Sequence, residues 1–381
     1  HAPESTNDLS VQILPHRRLA YDELLANQLA LAIVRAQMKR LKGVPLKGDG
    51  SLRNKVLTAL PFDLTNSQNF TLSEIDADLA ADHRMLRLLQ GDVGSGKTIV
   101  ALMAMLSAIE AGSQAVIMAP TEILSRQHMV TISQMAEAAG IQPVLLTGRE
   151  RGKKRDAILE KLKTGAARLA VGTHALFQDD VEYHDLRVAI IDEQHRFGVH
   201  QRLTLAAKGR AVDVLVMTAT PIPRTLMLTA YGDMDVSRLT EKPAGRKPIQ
   251  TVLISNDRLD EVVHAVGRAV KSNARVYWVC PIIEESETSD MAAAELRYDH
   301  LKATFGERVG LVHGRLKGAE KDAVMSAFKD GEIDILVATT VIEVGVDVPE
   351  ASVMVIEHAE RFGLAQLHQL RGRIGRGSEK S

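Results

Sequence analysis

The sequence predicts an α/β fold with two parallel-sheet domains in tandem, preceded by a helical segment. The chain has 381 residues, more than a single hydrophobic core usually serves. Short apolar runs alternate with stretches of helical spacing, which is typical of parallel sheets covered by helices on both faces. A stretch with two prolines and a glycine at 241–248 separates two such series and is interpreted as a linker.

The segment before the first sheet has helical periodicity. After an irregular arm over 1–14, apolar residues recur at helical spacing from about His16 to Lys42. Glycines and a proline then end this helix, and a short helix is predicted at 52–59. We therefore predict a helical connecting segment over 1–58.

The first α/β domain is predicted over 59–240, with helices at 97–111 and 122–139. Met103 and Met105 fall on the first of these helices and are expected to pack in the core. The strands are predicted at six short apolar runs, at 85–89, 115–119, 144–147, 168–171, 187–191 and 213–218.

The second α/β domain is predicted over 241–381 and repeats the pattern. Tyr277 and Trp278 lie in one of its apolar runs, and Cys280 ends that run, so all three are expected to be buried. The predicted strands of this domain are the runs at 250–254, 276–280, 309–312, 333–338 and 352–356.

The composition excludes several classes of protein. Hydrophobic residues make up 45% and charged residues 25% of the chain, as in ordinary globular proteins. No apolar run reaches the roughly 20 residues needed to span a bilayer, so we expect no membrane partner. The single cysteine cannot form an internal disulfide, which fits a reducing compartment.

Any binding of phosphate must come from local basic patches, because the net charge is −1. Charge runs are more often solvated faces than binding sites, so the patches alone do not establish a function. They are Arg149, Arg151, Lys153, Lys154 and Arg155, and further along Arg371, Arg373 and Arg376.

A phosphate-binding loop is predicted after the first apolar run. The sequence from Gly91 to Thr98 fits G-x-x-x-x-G-K-[ST], with an apolar run before it and a helix after it. The glycines Gly91, Gly94 and Gly96, together with Ser95, let the backbone N–H groups point at phosphate oxygens. Lys97 would reach the β- and γ-phosphates and Thr98 would bind Mg²⁺. A chance match is expected in about one per cent of such chains, so we expect ATP and Mg²⁺.

Two acids follow the apolar run at 187–191. Asp192 and Glu193 would lie at the carboxyl end of a strand, where open α/β sheets bind ligands. Asp192 would hold Mg²⁺ and Glu193 would accept a proton from the attacking water. Without the phosphate-binding loop, two such acids would more often cap a helix.

An arginine-rich run closes the chain. Arginine suits bidentate phosphate contact. An arginine supplied across a cleft can stabilise the charge on a transferring phosphoryl group and raise the rate of the reaction by about 10³–10⁵. We assign this catalytic role to Arg373 and Arg376. The alternative is a basic loop on a phosphodiester backbone.

These motifs resemble the superfamily 2 helicases of the DExH kind, and more closely the RecG family of branched-DNA helicases. The similar stretches stand in the family's order and cover almost the whole chain. They are residues 88–98, 192–199, 218–225 and 366–377, with 17–24 upstream. The resemblance implies two RecA-like domains and an ATP-dependent DNA helicase that remodels forks and junctions in repair and recombination.

The resemblance also implies roles for further residues. Phe62 and Gln68 match the adenine-reading segment, and Asp347 matches a residue that meets the ribose from the second domain. His195, Thr218 and Thr220 match residues that couple hydrolysis to movement. The residues that match nucleic-acid-facing loops are Pro120, Thr121, Gly148, Arg149, Thr173, His174, His313, Gly314, Thr339 and Thr340. Such loops contact the sugar-phosphate backbone and carry little sequence preference.

The family pattern extends beyond this sequence. RecG-type helicases carry an N-terminal wedge domain and a helical hairpin after the last motif, and we expect this chain to be the motor portion only, lacking both. The resemblance implies a monomer in the bacterial cytoplasm, associated with the nucleoid, that acts on branched or duplex DNA.

Three other functions stay open at this point. The translocase module of a transcription-repair coupling factor has very similar motifs. A nucleic-acid clamp that binds ATP without efficient turnover would be expected to lack Glu193 or the arginines, which are present. A P-loop transporter or kinase would not need the arginine-rich run.

Overall fold

The structure is a computed structural model. It describes residues 14–40, 42–193, 208–209, 211–219, 234–241, 249–281, 287–314, 316, 318–339, 348, 350–375 and 381. The arm predicted over 1–14 lies outside the described residues except for Leu14, which begins the first helix.

The predicted helical segment is confirmed. Helix α1 spans Leu14–Arg40 and α2 spans Ser51–Ala59. Glu110, on a later helix, accepts hydrogen bonds from the backbone N–H groups of Gly50 and Arg53, each at 2.9 Å. This carboxylate caps α2 from outside, at the end where a helix leaves donors unpaired. The connecting segment is therefore held against the first sheet.

In the described part of the chain, the first sheet has seven parallel strands in the order β3-β4-β2-β5-β6-β1-β7. All six predicted runs form strands, whereas β7 was missed because its alternating, partly exposed sequence is not an apolar run. The strands are β1 Leu86–Gly91, β2 Gln114–Met118, β3 Val144–Leu146, β4 Leu169–Gly172, β5 Leu186–Asp192, β6 Asp213–Thr218 and β7 Asp235–Leu239.

Helices cover both faces of this sheet, as the near-continuous apolar strands require. Helix α4 lies closest to the core, and its residues from Ile99 to Ile109 are buried, including Met103 and Met105 as expected. The helices are α3 Asn66–Leu79, α4 Lys97–Glu110, α5 Glu122–Ala136 and α6 Gly152–Lys163. A short 3-10 turn over Glu137–Ala139 continues α5.

The second sheet is smaller. Its described strands are all parallel, in the order β11-β8-β10-β9. Tyr277 and Trp278 are fully buried on opposite faces of it, and Cys280 is buried at its edge, as expected. The strands are β8 Arg275–Val279, β9 Val309–Val312, β10 Ile335–Ala338 and β11 Ala351–Ile356; the helices are α7 Leu259–Lys271, α8 Glu287–Phe305, α9 Gly318–Asp330 and α10 Leu364–Arg371.

The strand predicted at 250–254 is wrong. The segment has no strand structure, and Val252 and Leu253 are 65% and 94% exposed. Its first residue, Gln250, donates its backbone N–H to the carbonyl of Ser381 at 2.8 Å. An apolar segment becomes a strand only where a neighbouring strand pairs with its backbone, and the described residues provide no such strand beside 250–254.

The parallel arrangement brings the ends of distant segments together. Gln90, near the end of β1, pairs with Thr218 at the end of β6, and Asp192 at the end of β5 pairs with Met217. The segments after β1, β5 and β6 therefore leave the sheet along one edge. This is the edge at which open α/β sheets bind ligands.

No helix within the described ranges has the length and apolar character that crossing a membrane requires. The domain boundaries that we predict at 58/59 and 240/241 stay predictions.

A buried carboxyl at the opposite edge predicts a pH effect on stability. Asp213 begins β6, is 3% exposed and accepts the backbone N–H of Met85 at 2.6 Å. Burial raises its pKa to about 7, and the charge of Asp78 raises it further, against the lowering effects of the Met85 N–H and of Arg187.

We expect Asp213 to destabilise the first sheet as pH rises from about 4 to about 7. The folded protein keeps the proton through this window, whereas the unfolded chain has already released it. In Asp213→Asn this contribution disappears, so the variant gains about 4 kcal/mol relative to the unsubstituted protein across the window, because the pKa of Asp213 rises from about 4 to about 7 on folding. Hydrogen exchange of β1 and β6 amides measures it, and parallel pH profiles for the two proteins would contradict it.

Candidate active site

The loop between β1 and α4 has the conformation that its glycines allow. Gly94 and Gly96 have φ angles of 76° and 86°, in the left-handed region that side chains disfavour. Gly96 is the N-cap of α4, so the positive end of the helix dipole points into the loop. The loop residues Gly91 and Ser95 are buried and shape it from behind.

Lys97 is held over this loop. Its Nζ donates to the carbonyl oxygens of Gly91 at 2.6 Å and of Asp92 at 3.0 Å. The ammonium group therefore faces the loop that is predicted to surround the phosphates, where a positive charge attracts anions.

A cleft of about 1020 Å³ brings together most of the residues predicted for nucleotide binding and catalysis. Its walls come from the connecting segment, α3, the loop, α5, the end of β5 and the second domain. The predicted residues that line it are Phe62, Gln68, Gly94, Gly96, Lys97, Thr98, Asp192, Glu193 and Arg373.

Gln68 ties α3 to the loop. Its Nε2 donates to the carbonyl of Ser95 and its Oε1 accepts the N–H of Thr65, both at 2.9 Å, and it is 2% exposed. Thr65 in turn caps α3. The amide that we predicted to read adenine is thus engaged within the protein and would have to exchange these bonds. Phe62 is half-exposed at the mouth of the same cleft.

Asp192 is buried with both carboxylate oxygens bonded. Its Oδ2 lies 2.7 Å from Nε2 of His128, and its Oδ1 accepts the backbone N–H of Glu193 at 3.1 Å. Burial raises the pKa of Asp192, but the hydrogen bond and charge of His128 and the charge of Lys97 outweigh it, so the pKa lies below the ordinary value. Asp192 is therefore ionised at neutral pH.

Glu193 has the opposite electrostatic character. Burial, followed by the charge of Asp192, raises its pKa to about 7, although Lys97 and Arg373 lower it. Its backbone φ of 51° is in the left-handed region, which is uncommon for a residue with a side chain and recurs at functional sites. A carboxyl with a pKa near neutrality is suited to accept and release a proton.

The second domain reaches the cleft through the end of α10. Arg373 is 8% exposed and lies close enough to Glu193 to lower its pKa. Beside it, Nε2 of His368 lies 3.2 Å from Oδ1 of Asp92 in the loop. The two domains thus contact each other at the predicted phosphate site.

The residues present fit a Mg²⁺ ion bound with a nucleotide. Thr98 and Asp192 line one cleft and offer hard oxygen ligands, and Asp192 is ionised. Mg²⁺ is usually bound by one or two protein ligands together with phosphates and waters. Within the described ranges, no group of three or more His, Cys, Asp or Glu side chains could hold a metal on its own.

The predicted nucleic-acid residues also follow strand ends. Pro120 and Thr121 follow β2, and their counterparts follow β3, β4, β9 and β10. His174 and Gly314 are exposed, and His313 is half-buried. The hydroxyls of Thr121 and Thr173 cap helical turns, and Thr173 and Thr339 are only 3% and 5% exposed. Thr173 and Thr339 are therefore closed to solvent, whereas Thr121 is half-buried.

Arg149 is exposed beside Gly148, but carboxylates already hold its guanidinium group. It forms an ion pair with Glu122 at the start of α5 and another, at 2.8 Å, with Asp322 of α9. The hydrogen bond that Arg149 donates to Asp322 is the main cause that raises the pKa of Arg149. The residue predicted to contact nucleic acid thus bridges the two domains, and a phosphate would compete with these acids.

Some predicted residues lie outside the described part of the chain: Arg376, His195, Thr220, Thr340 and Asp347. Thr218 is described, and it is buried at the end of β6.

Sequence reasoning missed three polar partners. His128 and Asp322 contact residues 64 and 173 positions away, and no local pattern indicates such a contact. Glu150 accepts hydrogen bonds from the N–H and the hydroxyl of Thr147, at 2.7 and 2.6 Å. Here the T-x-x-E spacing was a usable signal, because it is typical of a reciprocal cap.

Comparisons with known proteins agree with this geometry. The sequence model of the DEAD/DEAH box helicase family matches residues 71–229, and that of the helicase conserved C-terminal domain matches residues 255–378. The two matched regions correspond to the first and the second sheet.

Several curated relatives are similar over nearly the whole chain. ATP-dependent DNA helicase RecG of Haemophilus influenzae is 51% identical, covering 98% of this chain and 56% of the relative. The proteins of the same name from Escherichia coli K12 and Bacillus subtilis are 50% and 47% identical, each over 100% of this chain and 56% of the relative. The chain thus spans about half the length of these relatives.

Solved structures give the same result. A structure of RecG bound to a three-way DNA junction matches with a TM-score of 0.81 and 46% identity, covering 94% of this chain and 48% of that one. Dbp5 of S. cerevisiae, bound to RNA and ADP BeF3, matches with a TM-score of 0.65 and 18% identity, over 88% of this chain and 86% of that one. The second match shows the fold alone.

Proposed function

The chain belongs to the RecG family of DEAD/DEAH box helicases, and we propose that it is an ATP-hydrolysing motor that moves on DNA and remodels branched DNA in repair and recombination. The observation that carries this proposal is the shared cleft, which unites Lys97, Asp192 and Glu193 of the first domain with Arg373 of the second. Identity near 50% over the whole chain favours a RecG-type motor over the translocase of a transcription-repair coupling factor.

ATP would bind with its phosphates in the loop. The backbone N–H groups of the glycine-rich turn and the N-terminus of α4 would bind the phosphate oxygens, and Lys97 would turn from its loop carbonyls to the β- and γ-phosphates. Thr98 and Asp192 would hold Mg²⁺, which neutralises charge on the phosphates when bound. Phe62 and Gln68 line the same cleft and would meet the adenine.

Hydrolysis requires a base and a counter-charge. Glu193, with its pKa near neutrality, would orient the attacking water and accept its proton. Arg373 would stabilise the charge that spreads over the transferring phosphoryl group. Because this arginine comes from the other domain, hydrolysis would depend on how closely the two domains approach each other.

DNA would lie against the loops that follow β2, β3, β4, β9 and β10. These loops come from both domains, so closure around ATP and reopening after hydrolysis would move one set along the backbone relative to the other. In the related structure of RecG, the bound nucleic acid is a three-way DNA junction. We propose branched or duplex DNA as the substrate here.

We also propose that the motor works as a monomer on the bacterial nucleoid. Lys97 and Arg373 come from the same chain and line the same cleft, so a second copy is not needed to complete the site. The curated relatives are bacterial, and a DNA substrate places the activity on the chromosome.

Steady-state ATP hydrolysis tests this function, measured without DNA, with linear duplex and with a synthetic junction at fixed low salt, because phosphate contacts weaken as salt rises. We expect DNA to stimulate turnover, more so with the junction, and Lys97→Ala to abolish turnover without unfolding the protein. Normal turnover by Lys97→Ala would contradict the site, and turnover insensitive to DNA would contradict the motor.

The raised pKa of Glu193 predicts an acid limb in the pH profile of kcat/KM for ATP. Turnover should fall as pH drops through about 7, because a protonated carboxyl cannot accept the proton from water. Glu193→Gln should bind ATP but lack turnover at every pH. A profile that stays flat between about pH 8 and about pH 6 would show that another group is the base.

The ion pair of Arg149 predicts a gain in DNA affinity when its partner is neutralised. Asp322→Asn should tighten duplex binding a few-fold at low salt, because an exposed ion pair contributes about 0.2–1 kcal/mol and DNA phosphate competes with it. Fluorescence anisotropy of labelled duplex measures this. The control is Asp330→Asn, which removes one negative charge at the far end of α9, away from Arg149. An equal gain in DNA affinity in this control would mean that the effect comes from net charge and not from the ion pair.

A further inference from the structure

His128 is a buried polar residue that has no role in the proposed hydrolysis of ATP. It lies on α5, whose start is fixed by Thr121, and it shares the buried face of that helix with Leu124 and Ile132. It is 9% exposed and lines the nucleotide cleft. A histidine on the inner face of a helix usually serves packing, so its role depends on what the ring contacts.

The ring contacts one carboxylate. Nε2 of His128 lies 2.7 Å from Oδ2 of Asp192, while the other oxygen of Asp192 accepts the N–H of Glu193 at 3.1 Å. Two partners on opposite oxygens fix the rotation of the carboxylate about its Cβ–Cγ bond. Asp192 is itself 6% exposed, so solvent water has little access to replace His128.

Direct binding of the metal is not the role that the chemistry of histidine favours. Mg²⁺ prefers oxygen ligands in a strict octahedral geometry and dehydrates reluctantly. A nitrogen that already bonds a metal-binding carboxylate is better suited to orient it. Removing a residue that is hydrogen-bonded to a metal ligand commonly lowers metal affinity by about 10–100-fold.

We propose that His128 is a positioning residue for Mg²⁺: it holds Asp192 in the orientation that binds the metal–nucleotide complex. This inference rests on the proposed ATPase function and deepens it. In this proposal His128 acts through its bond to Asp192. Its loss should therefore raise the Mg²⁺ concentration that nucleotide binding requires and leave nucleotide binding without metal intact.

The test compares four variants of the full chain. Both His128→Ala and His128→Asn remove the bond to Asp192, because alanine has no donor and the asparagine side chain is too short. His128→Gln places an amide nitrogen about as far from the backbone as Nε2 and should restore it. Val130→Ala is the control, because Val130 lies on the same helix α5 and is 58% exposed.

Two readouts separate positioning from folding. Binding of a fluorescent, non-hydrolysable ATP analogue is measured in EDTA and across a Mg²⁺ titration, and turnover is measured across the same titration. In His128→Ala and His128→Asn we expect binding in EDTA within about twofold of the unsubstituted protein, and a half-saturating Mg²⁺ concentration raised about tenfold or more in both assays. His128→Gln should recover most of this affinity for Mg²⁺, and Val130→Ala should behave like the unsubstituted protein.

Several results would overturn the inference. An unchanged half-saturating Mg²⁺ concentration in both His128→Ala and His128→Asn would do so, and so would an equal loss of binding in EDTA, which would mean a structural role. Measurements on the unsubstituted protein separate failure of the His128 proposal from failure of the proposed ATPase function. If it binds Mg²⁺–nucleotide but never hydrolyses ATP, the proposed function fails while the binding readout still tests His128.

Discussion

Two adjacent carboxylates, Asp192 and Glu193, are buried at the end of β5, and the surrounding cleft is arranged around them. Burial alone would raise the pKa of each acid, and each would raise that of the other. His128 and Lys97 keep Asp192 ionised, whereas Glu193 keeps a pKa of about 7 with Lys97 and Arg373 nearby. The same chain segment thus holds one ionised and one titratable carboxyl, which are what the proposed metal binding and proton transfer require. Pairs of acids whose environments separate their pKa values are the usual means of dividing such roles.

Strand order distributes the two proposed activities over the first sheet. In the order β3-β4-β2-β5-β6-β1-β7, the loops after β3, β4 and β2 carry the residues proposed to contact nucleic acid. The loops after β5 and β1 carry residues proposed to contact the nucleotide. In the second sheet, β10 and β9 are neighbours and carry the corresponding loops. Contacts between the domains occur at both places. His368 contacts Asp92 of the predicted phosphate loop, and Arg149 pairs with Asp322 beside the loops proposed to contact DNA. A movement of one domain relative to the other would therefore change both contacts.

The sequence predicted best those features that depend on residues close together in the chain. Strands buried on both faces are apolar runs, so β1 to β6 could be predicted, and the turn of the phosphate loop requires glycine at Gly94 and Gly96, so it is visible as a motif. Strand β7 lies at an edge and mixes polar with apolar residues, which hides it. The run at 250–254 reads as a strand but has no strand beside it among the described residues, and pairing is a long-range property. His128 and Asp322 were missed for the same reason, because their partners are distant in sequence.

We propose that an arginine of the second domain completes an ATP site built by the first. ATP binding and single-turnover hydrolysis by Arg373→Ala test it most directly, with Arg371→Ala as the control, because Arg371 lies two residues away and is exposed. We expect Arg373→Ala to bind ATP within about threefold of the unsubstituted protein and to hydrolyse it about 10³-fold or more slowly, while Arg371→Ala keeps normal binding and hydrolysis. Hydrolysis at the normal rate in Arg373→Ala, or an equal loss in both variants, would contradict the shared site.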